Sequence, residues 1–523
     1  MTTINILIIV FTVTFMVAIL AVAIYFSRRS NENSNQFFIG GRSLGPWVAA
    51  LSAEANDMAV LLLLVLPGMA YFSGLAMVFW YSVGLIAGVW TGWFIIAKRL
   101  RRYSFISQNS ITLPEFFTNR FKEKKPVLLL ISSLLILIFF CIFAAFFISS
   151  AAKLFSIGTG LHYQRVVVIM AISIMLYTLS GGFLAVCTTD FFQAVFMIVS
   201  LVTVLVVSIA AAEGIRTVFE GAAAIPGFID ILSSATPETE ATGQQSISIT
   251  GEALFGEAAP LDAVAIISAV SLGLGVFGMP QTLTRYMAIK KIKYWRNGRY
   301  IAVFWCLLCL IAAIFIGIAG RYLYPSEFLT SAGSETIFLH ISNVLLDPLL
   351  AGVVIAGMLV AVACSADSFL LISSSSFSIN IFKGLIKKEA TDKHVMIVSR
   401  VSLVLLTPGA MLIALYSKSV FGILGLAWAG FAACFGSVII FSLFWERTSY
   451  RGAVAGMAGG AFMLLLWKFA LRPLGGFFDI YELLPAFIFA CILILVFSLT
   501  DKKPSAEINE EFRLARNPKS STS

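Results

Sequence analysis

The chain has 523 residues, 59% hydrophobic and only 12% charged, with a formal net charge of +9. Apolar runs of bilayer-crossing length recur from end to end, so a water-soluble class is excluded and an all-α polytopic membrane protein is expected, embedded in a lipid bilayer. The basic excess falls in short segments between apolar runs, the positive-inside pattern, and this argues against a nucleic-acid partner.

The first run, near 4–26, has no basic residue before it and Arg28-Arg29 after it. A signal peptide has the reverse order, so this run reads as a retained helix with its N-terminus outside. By the length criterion about thirteen spans follow in order. They lie near 4–26, 46–71, 75–97, 127–152, 166–185, 190–212, 262–284, 301–323, 349–379, 395–416, 420–445, 452–471 and 481–499. Basic loops such as Lys98 to Arg102 and Lys290 to Arg299 then face the cytoplasm. The acidic stretch 213–260 forms the longest external loop, flexible around Ser233 to Ser248. Residues 335–346 carry apolar side chains at helical spacing and predict an external helix lying over the membrane domain. The polar tail 501–523 reads as cytoplasmic and disordered. The transporter domain is thus 1–500, with core repeats at about 46–212 and 262–445.

Two spans are unusual. The second contains Glu54-Ala55-Asn56-Asp57, two carboxylates at bilayer depth, each costing about 2.5–3.5 kcal/mol on insertion scales. A cost of that size points to an ion or solute site. The seventh contains Gly273-Leu274-Gly275-Val276-Phe277-Gly278-Met279-Pro280, the composition of a broken helix lining a cavity. A close-packing face of small residues accounts for the glycines but not for the proline. The two interruptions are five spans apart and so occupy corresponding places in two five-helix halves, the pattern of an inverted-repeat transporter. Asp190 reads equally as an ion-route carboxylate or an interfacial helix cap. Asp367, in Ala363-Cys364-Ser365-Ala366-Asp367-Ser368, sits among small oxygen-bearing side chains suited to a hard cation. Glu54 lies one helical turn before Asp57, a candidate proton carrier or extra cation ligand. The seven cysteines lie mostly inside apolar runs and the three histidines are scattered, so neither a disulfide framework nor a resident metal or cofactor is expected.

Several motifs, in order, carry a family resemblance. Phe37-Phe38-Ile39-Gly40-Gly41-Arg42-Ser43-Leu44-Gly45-Pro46, then Leu51-Ser52-Ala53 with Asp57-Met58, are similar to the N-terminal core of the sodium/solute symporters. Tyr177-Thr178-Leu179-Ser180-Gly181-Gly182-Phe183-Leu184-Ala185, followed by Thr189-Asp190 and Gln193, resembles their signature, and Ala427 to Phe431 resembles a later core helix. Within that family the chain is most similar to the sodium/proline symporters. The resemblance implies a five-plus-five inverted-repeat core and sodium-driven uptake of a small organic solute such as proline, by a carrier and not an enzyme. It implies sodium ligands at Ala55 and Met58 in a broken second span and at Ala361, Cys364 and Ser365 in the ninth. It further implies an ion path through Asp57 and Asp190, and cytoplasmic-side gating by Arg42. The solute pocket would involve Ala59, Leu61, Phe143, Leu272, Val276 and Pro280. Five of these (Ala59, Leu61, Phe143, Leu272, Val276), with Cys364 and Glu54, depart from the proline-transporting pattern, so scaffold and pocket point to different degrees toward proline. A proton-coupled or mixed-ion symporter for another solute is the alternative, and a membrane sensor on the same scaffold a second.

Overall fold

The computed structural model describes residues 3–241, 243–249, 251–416 and 420–516. Apolar segments in lipid must satisfy their own backbone, and the described chain is accordingly built of long helices. Eleven of them are long and apolar enough to cross a membrane: Thr3–Ser30, Pro46–Ser73, Leu75–Ile106, Val127–Thr159, Tyr163–Ala211, Ile292–Leu323, Pro348–Ile386, Asp392–Tyr416, Leu424–Phe444, Tyr450–Leu474 and Leu483–Thr500. A bent pair, Ala263–Phe277 with Pro280–Met287, adds a twelfth. The 49-residue helix Tyr163–Ala211 is about twice the length a bilayer requires, and it is interrupted at Gly182, whose φ of 59° and ψ of −166° are not helical. Counted as a fifth and a sixth span it gives the thirteen segments that the hydropathy predicts, and the ordinals below follow that count.

Local chemistry sets the ends. Asp347 accepts from the amides of Leu349 and Leu350 ahead of Pro348, opening the ninth span. Asp262 accepts from the Ala265 amide at 2.7 Å and opens the seventh.

The second span departs from expectation. Residues 54–57 are regular α-helix, not a break. The irregularity lies one turn later, where Leu61–Val65 form a π turn. Pro67 explains it: proline cannot donate to the carbonyl four residues back and its ring crowds that carbonyl, so the ladder slips. The seventh span is broken where the sequence predicts. It narrows to a 3-10 turn over Leu272–Phe277, runs extended at Met279, and restarts with Pro280 at a 45° angle. Its glycines also pack backbone to backbone: a Cβ on Gly273 would lie 1.9 Å from the Gly84 carbonyl oxygen, and one on Gly278 2.0 Å from that of Phe431. Both readings of this segment therefore hold together, with the glycines serving contact and Met279-Pro280 the break.

Two peripheral expectations change. The stretch 233–260 is not a featureless loop: Ser233–Ser234 pair antiparallel with Ala259–Pro260, and bridges join Pro237 to Phe255, Thr239 to Gln245 and Ile247 to Ala253. It is fastened down where Gln245 accepts from both terminal nitrogens of Arg321 at 3.3 Å. The tail is helical over Ala506–Arg516, with Ile508, Phe512 and Ala515 buried; 517–523 lie outside the described residues. The helix expected at 335–346 is present as Ile337–Leu345.

Candidate functional site

A cavity of about 520 Å³ descends from the end of the bundle that carries the 213–262 segment. Its walls are mostly apolar, with Met69, Phe143, Phe146, Phe147, Leu272 and Trp428 prominent. Asp57 lies at its inner end, half-buried. Both Asp57 oxygens are engaged by the restarted half of the seventh span: the Gln281 amide nitrogen donates to Oδ1, and the Thr282 hydroxyl donates to Oδ2 at 2.6 Å. Those residues are the second and third of helix Pro280–Met287. A carboxylate there meets the positive end of a helix, so the break in the seventh span orients Asp57.

Behind Asp57 a buried polar cluster joins four spans. Arg285 donates to Asp190 Oδ2 at 2.7 Å, to the Ser52 hydroxyl at 2.6 Å, to the Ser368 hydroxyl at 2.8 Å and to the Gln281 carbonyl at 3.0 Å. Ser52 in turn donates to Asp190 at 2.8 Å, and Asn56 donates to Ser368 at 2.6 Å. Asp190 lies inside a continuous helical stretch, so the cap reading is wrong; it is one half of a buried ion pair. Asp367 is fully enclosed among Asp190, Arg285, Tyr177 and Ser368, and neither of its carboxylate oxygens has a well-formed hydrogen bond. A buried carboxylate so placed calls for a proton or a cation.

The residues expected to hold sodium lie on two helices that one buried hydrogen bond joins. Ala55 and Met58 on the second span and Ala361, Cys364 and Ser365 on the ninth are all buried, and the Asn56–Ser368 bond ties the two helices between them. Met58 also reaches the cavity wall. The Ser365 hydroxyl donates to the Ala361 carbonyl at 3.1 Å, and the Tyr177 hydroxyl to the Cys364 carbonyl at 3.5 Å, so oxygen donors are concentrated there.

Of the expected solute pocket, Leu61, Phe143 and Leu272 line the cavity. Ala59 and Val276 are buried away from it, because each sits on the packed side of its helix. Pro280 lines instead a small crevice with Thr112, Ile136 and Ser376. Glu54 does not reach the cavity either. Trp93 donates to its Oε1 at 2.7 Å, and it is 2% exposed. Glu54 and Asp57, one turn apart, therefore face different neighbours.

At the opposite end of the bundle Arg42 ties three segments together. Arg42 donates to the Met287 carbonyl at 2.6 Å, to Asn109 at 2.9 Å, to the Ser110 carbonyl at 2.8 Å and to the Ser104 hydroxyl at 3.1 Å. Leu44 pairs with Ile289 beside it through the Leu44 amide to the Ala288 carbonyl and the Lys290 amide to the Leu44 carbonyl. Arg285, Gln281, Thr282 and Trp93 are the participants that the sequence pattern does not single out. Arg285 falls just past the 262–284 apolar run and before the basic loop Lys290 to Arg299; the signal for it is an arginine directly following a Pro-initiated turn of an apolar segment.

A broken seventh helix facing a carboxylate-bearing second one, at the end of a cavity open to one side, defines an inverted-repeat secondary transporter. The comparisons specify it further. The model of the sodium:solute symporter family matches residues 37–460, and the chain belongs to that family. It is 37% identical over 507 residues to the sodium/proline symporter of Escherichia coli (strain K12), covering 96% of this chain and 95% of that one. It is 32% identical over 510 residues to the sodium/proline symporter of Staphylococcus aureus (strain Newman), covering 96% and 94%. A Na+-coupled sialic acid symporter solved in a substrate-bound outward-open state has the same fold, with a TM-score of 0.77 at 19% identity over 96% of this chain and 99% of that one. Members of the family are carriers that couple solute movement to sodium; the chain is not an enzyme.

Proposed function

We propose that the protein takes up a small amino acid, proline or a close relative, together with sodium, and that the cavity ending at Asp57 is its outward-open solute path. The cavity is the observation that carries this reading: a route from one face, a carboxylate at its inner end, and the hydrogen-bonded Arg42 cluster beyond it. Proline is favoured by the names of the two curated relatives. The apolar lining by Leu61, Phe143 and Leu272 favours a solute with a compact hydrocarbon body. Sodium is assigned to Ala55, Met58, Ala361, Cys364 and Ser365, with Asp57 and Asp190 along its path and Asp367 adding a carboxylate nearby. Arg42 gates the inner side. The N-terminus is assigned outside and the tail to the cytoplasm, from the distribution of basic residues. The repeats are assigned to about 46–212 and 262–445.

Binding of ion and solute together favours the state that can close over both. A membrane potential contributes about 2.3 kcal/mol per charge per 100 mV. Purified protein in liposomes, given an inward sodium gradient and a panel of radiolabelled amino acids, is expected to concentrate L-proline or a near analogue. Equal uptake with a proton gradient alone would move the assignment to proton coupling, and uptake of none of the panel would refute the amino-acid reading.

A further inference from the structure

The mouth of the cavity carries an arrangement that the sodium and solute assignments leave unused. Lys468 and Arg472, one turn apart at the end of the twelfth span, both reach the cavity, and both donate to Glu482 at the start of the thirteenth. Lys468 Nζ is 2.8 Å from Glu482 Oε1, and Arg472 Nη1 is 2.6 Å from Oε2. The Glu482 side chain is 0% exposed, whereas those of Lys468 and Arg472 are 29% and 38% exposed.

The consequences are unequal for the two signs of charge. Each Glu482 oxygen is engaged by its own cation. Each cation spends one donor on Glu482, and an ammonium and a guanidinium have others to offer. Glu482 neutralises one of the two positive charges and the rim also holds Asp262 and Asp479, so the attraction for an anion comes from the unspent donors and not from net charge. Asp262 shares the rim, but its carboxylate caps the seventh span through the Ala265 amide. Asp479 also lines the rim; it is exposed and forms no ion pair with either cation. Below them the wall is apolar, with Met69, Trp428 and Phe146. An anchored, partly open Lys–Arg pair above an apolar shaft matches a solute with a carboxylate at one end and a hydrocarbon body at the other.

We propose that Lys468 and Arg472, held by Glu482, form an outer carboxylate-binding subsite that receives the solute's carboxylate before the solute descends toward Asp57. The inference rests on the reading of this cavity as the solute path.

Full-length protein in nanodiscs is labelled at Lys468 with a small amine-acylating reagent, and the modified peptide is followed by mass spectrometry. The probes are cyclopentanecarboxylate and cyclopentanecarboxamide, equal in shape and lacking an amine, at matched ionic strength. The carboxylate is expected to slow Lys468 labelling by about threefold or more, and the amide to leave it unchanged. Arg472→Gln is expected to remove that protection, and Arg472→Lys to recover part of it. In liposomes Arg472→Gln should raise the KM for L-proline about fivefold or more, again with partial recovery in Arg472→Lys. Equal slowing by both probes, or by neither, overturns the subsite, as does an unchanged KM. The labelling needs neither sodium nor transport. Absence of proline uptake by the unmodified protein would therefore refute the solute assignment, while the labelling still decides the subsite.

Discussion

Arg285 and Asp190 stand 95 residues apart in sequence and 2.7 Å apart in space, each essentially without solvent. The pair fastens the restarted half of the seventh span to the long helix that follows the family signature. Removing one member of such a pair leaves the other charge buried and uncompensated, at about 3–5 kcal/mol. Arg285→Met is therefore expected to lower thermal stability sharply, as read by a melting curve on detergent-purified protein. Arg285→Met combined with Asp190→Leu should recover part of that stability, because Asp190 is no longer stranded while Asp367 and Ser368 still lose their cation. A double variant as unstable as the single one would show that the pair is not the source of the effect.

Asp57 is a different case, since its bonds to Gln281 and Thr282 can survive loss of charge. In Asp57→Asn the amide oxygen still accepts from Thr282, and the Gln281 amide can rotate to present its oxygen. The fold is expected to persist while sodium-driven uptake falls on the order of tenfold or more, the range of a lost ion–solute coupling. The check is uptake against sodium concentration, with the melting temperature as control. Wild-type sodium dependence in the variant would remove Asp57 from the ion path.

Much of this site is legible from the chain. Carboxylates at Glu54 and Asp57, and glycines with a proline at 273–280, violate what an ordinary membrane helix tolerates, and such violations mark function. Their division of labour is not legible. Nothing in the spacing of Glu54 and Asp57 reveals that Trp93 claims one and the seventh span the other. That is decided by neighbours tens or hundreds of residues away. The π turn at Leu61–Val65 was displaced from the expected break for a local reason, the proline at 67, which hydropathy does not register. Asp190 looked like a cap because the kink at Gly182 lies eight residues earlier than an apolar-run boundary places it.

Glu54 gives the sharpest test of that division. Trp93→Phe keeps the ring but deletes the donor, leaving a buried carboxylate oxygen without its partner, at about 1–3 kcal/mol. Glu54→Gln keeps an acceptor for Trp93 and removes the charge. If Glu54 is held for packing, Glu54→Gln should transport like wild type at every external pH, while Trp93→Phe melts earlier. A changed pH profile for uptake in Glu54→Gln, at fixed sodium, would return Glu54 to the ion path.

The helix Ala506–Arg516 docks on the basic end of the bundle. Lys122 bonds Glu511 at 2.5 Å and Glu507 at 3.1 Å, and Arg513 lies 3.3 Å from Glu446. Phe512, 3% exposed, is covered by the guanidinium groups of Arg99 and Arg120, 4.9 and 5.6 Å from its ring centre. Arg120, at the end of helix Leu113–Arg120, in turn donates to the Ser442 carbonyl at 3.3 Å, so the docked helix lies where that short helix meets the eleventh span. Burial alone would lower the Lys122 pKa; the Glu511 and Glu507 carboxylates outweigh it and hold it above its usual value. A raised lysine pKa contributes stability that is complete below the unfolded value and is lost as pH rises through the folded one. The contribution of Lys122 to docking should therefore persist at neutral pH and be lost in strongly alkaline buffer. The ion pairs of Lys122, half-buried toward Glu511 and open toward Glu507, are partly screened by salt, whereas the buried Phe512 ring is not. Limited trypsin digestion is expected to cut at Arg513 slowly in wild type, somewhat faster in Lys122→Gln, and much faster in Phe512→Ala, with only the contribution of Lys122 fading in 1 M salt. Equal cleavage rates in Phe512→Ala and wild type would show that the ring does not anchor the helix.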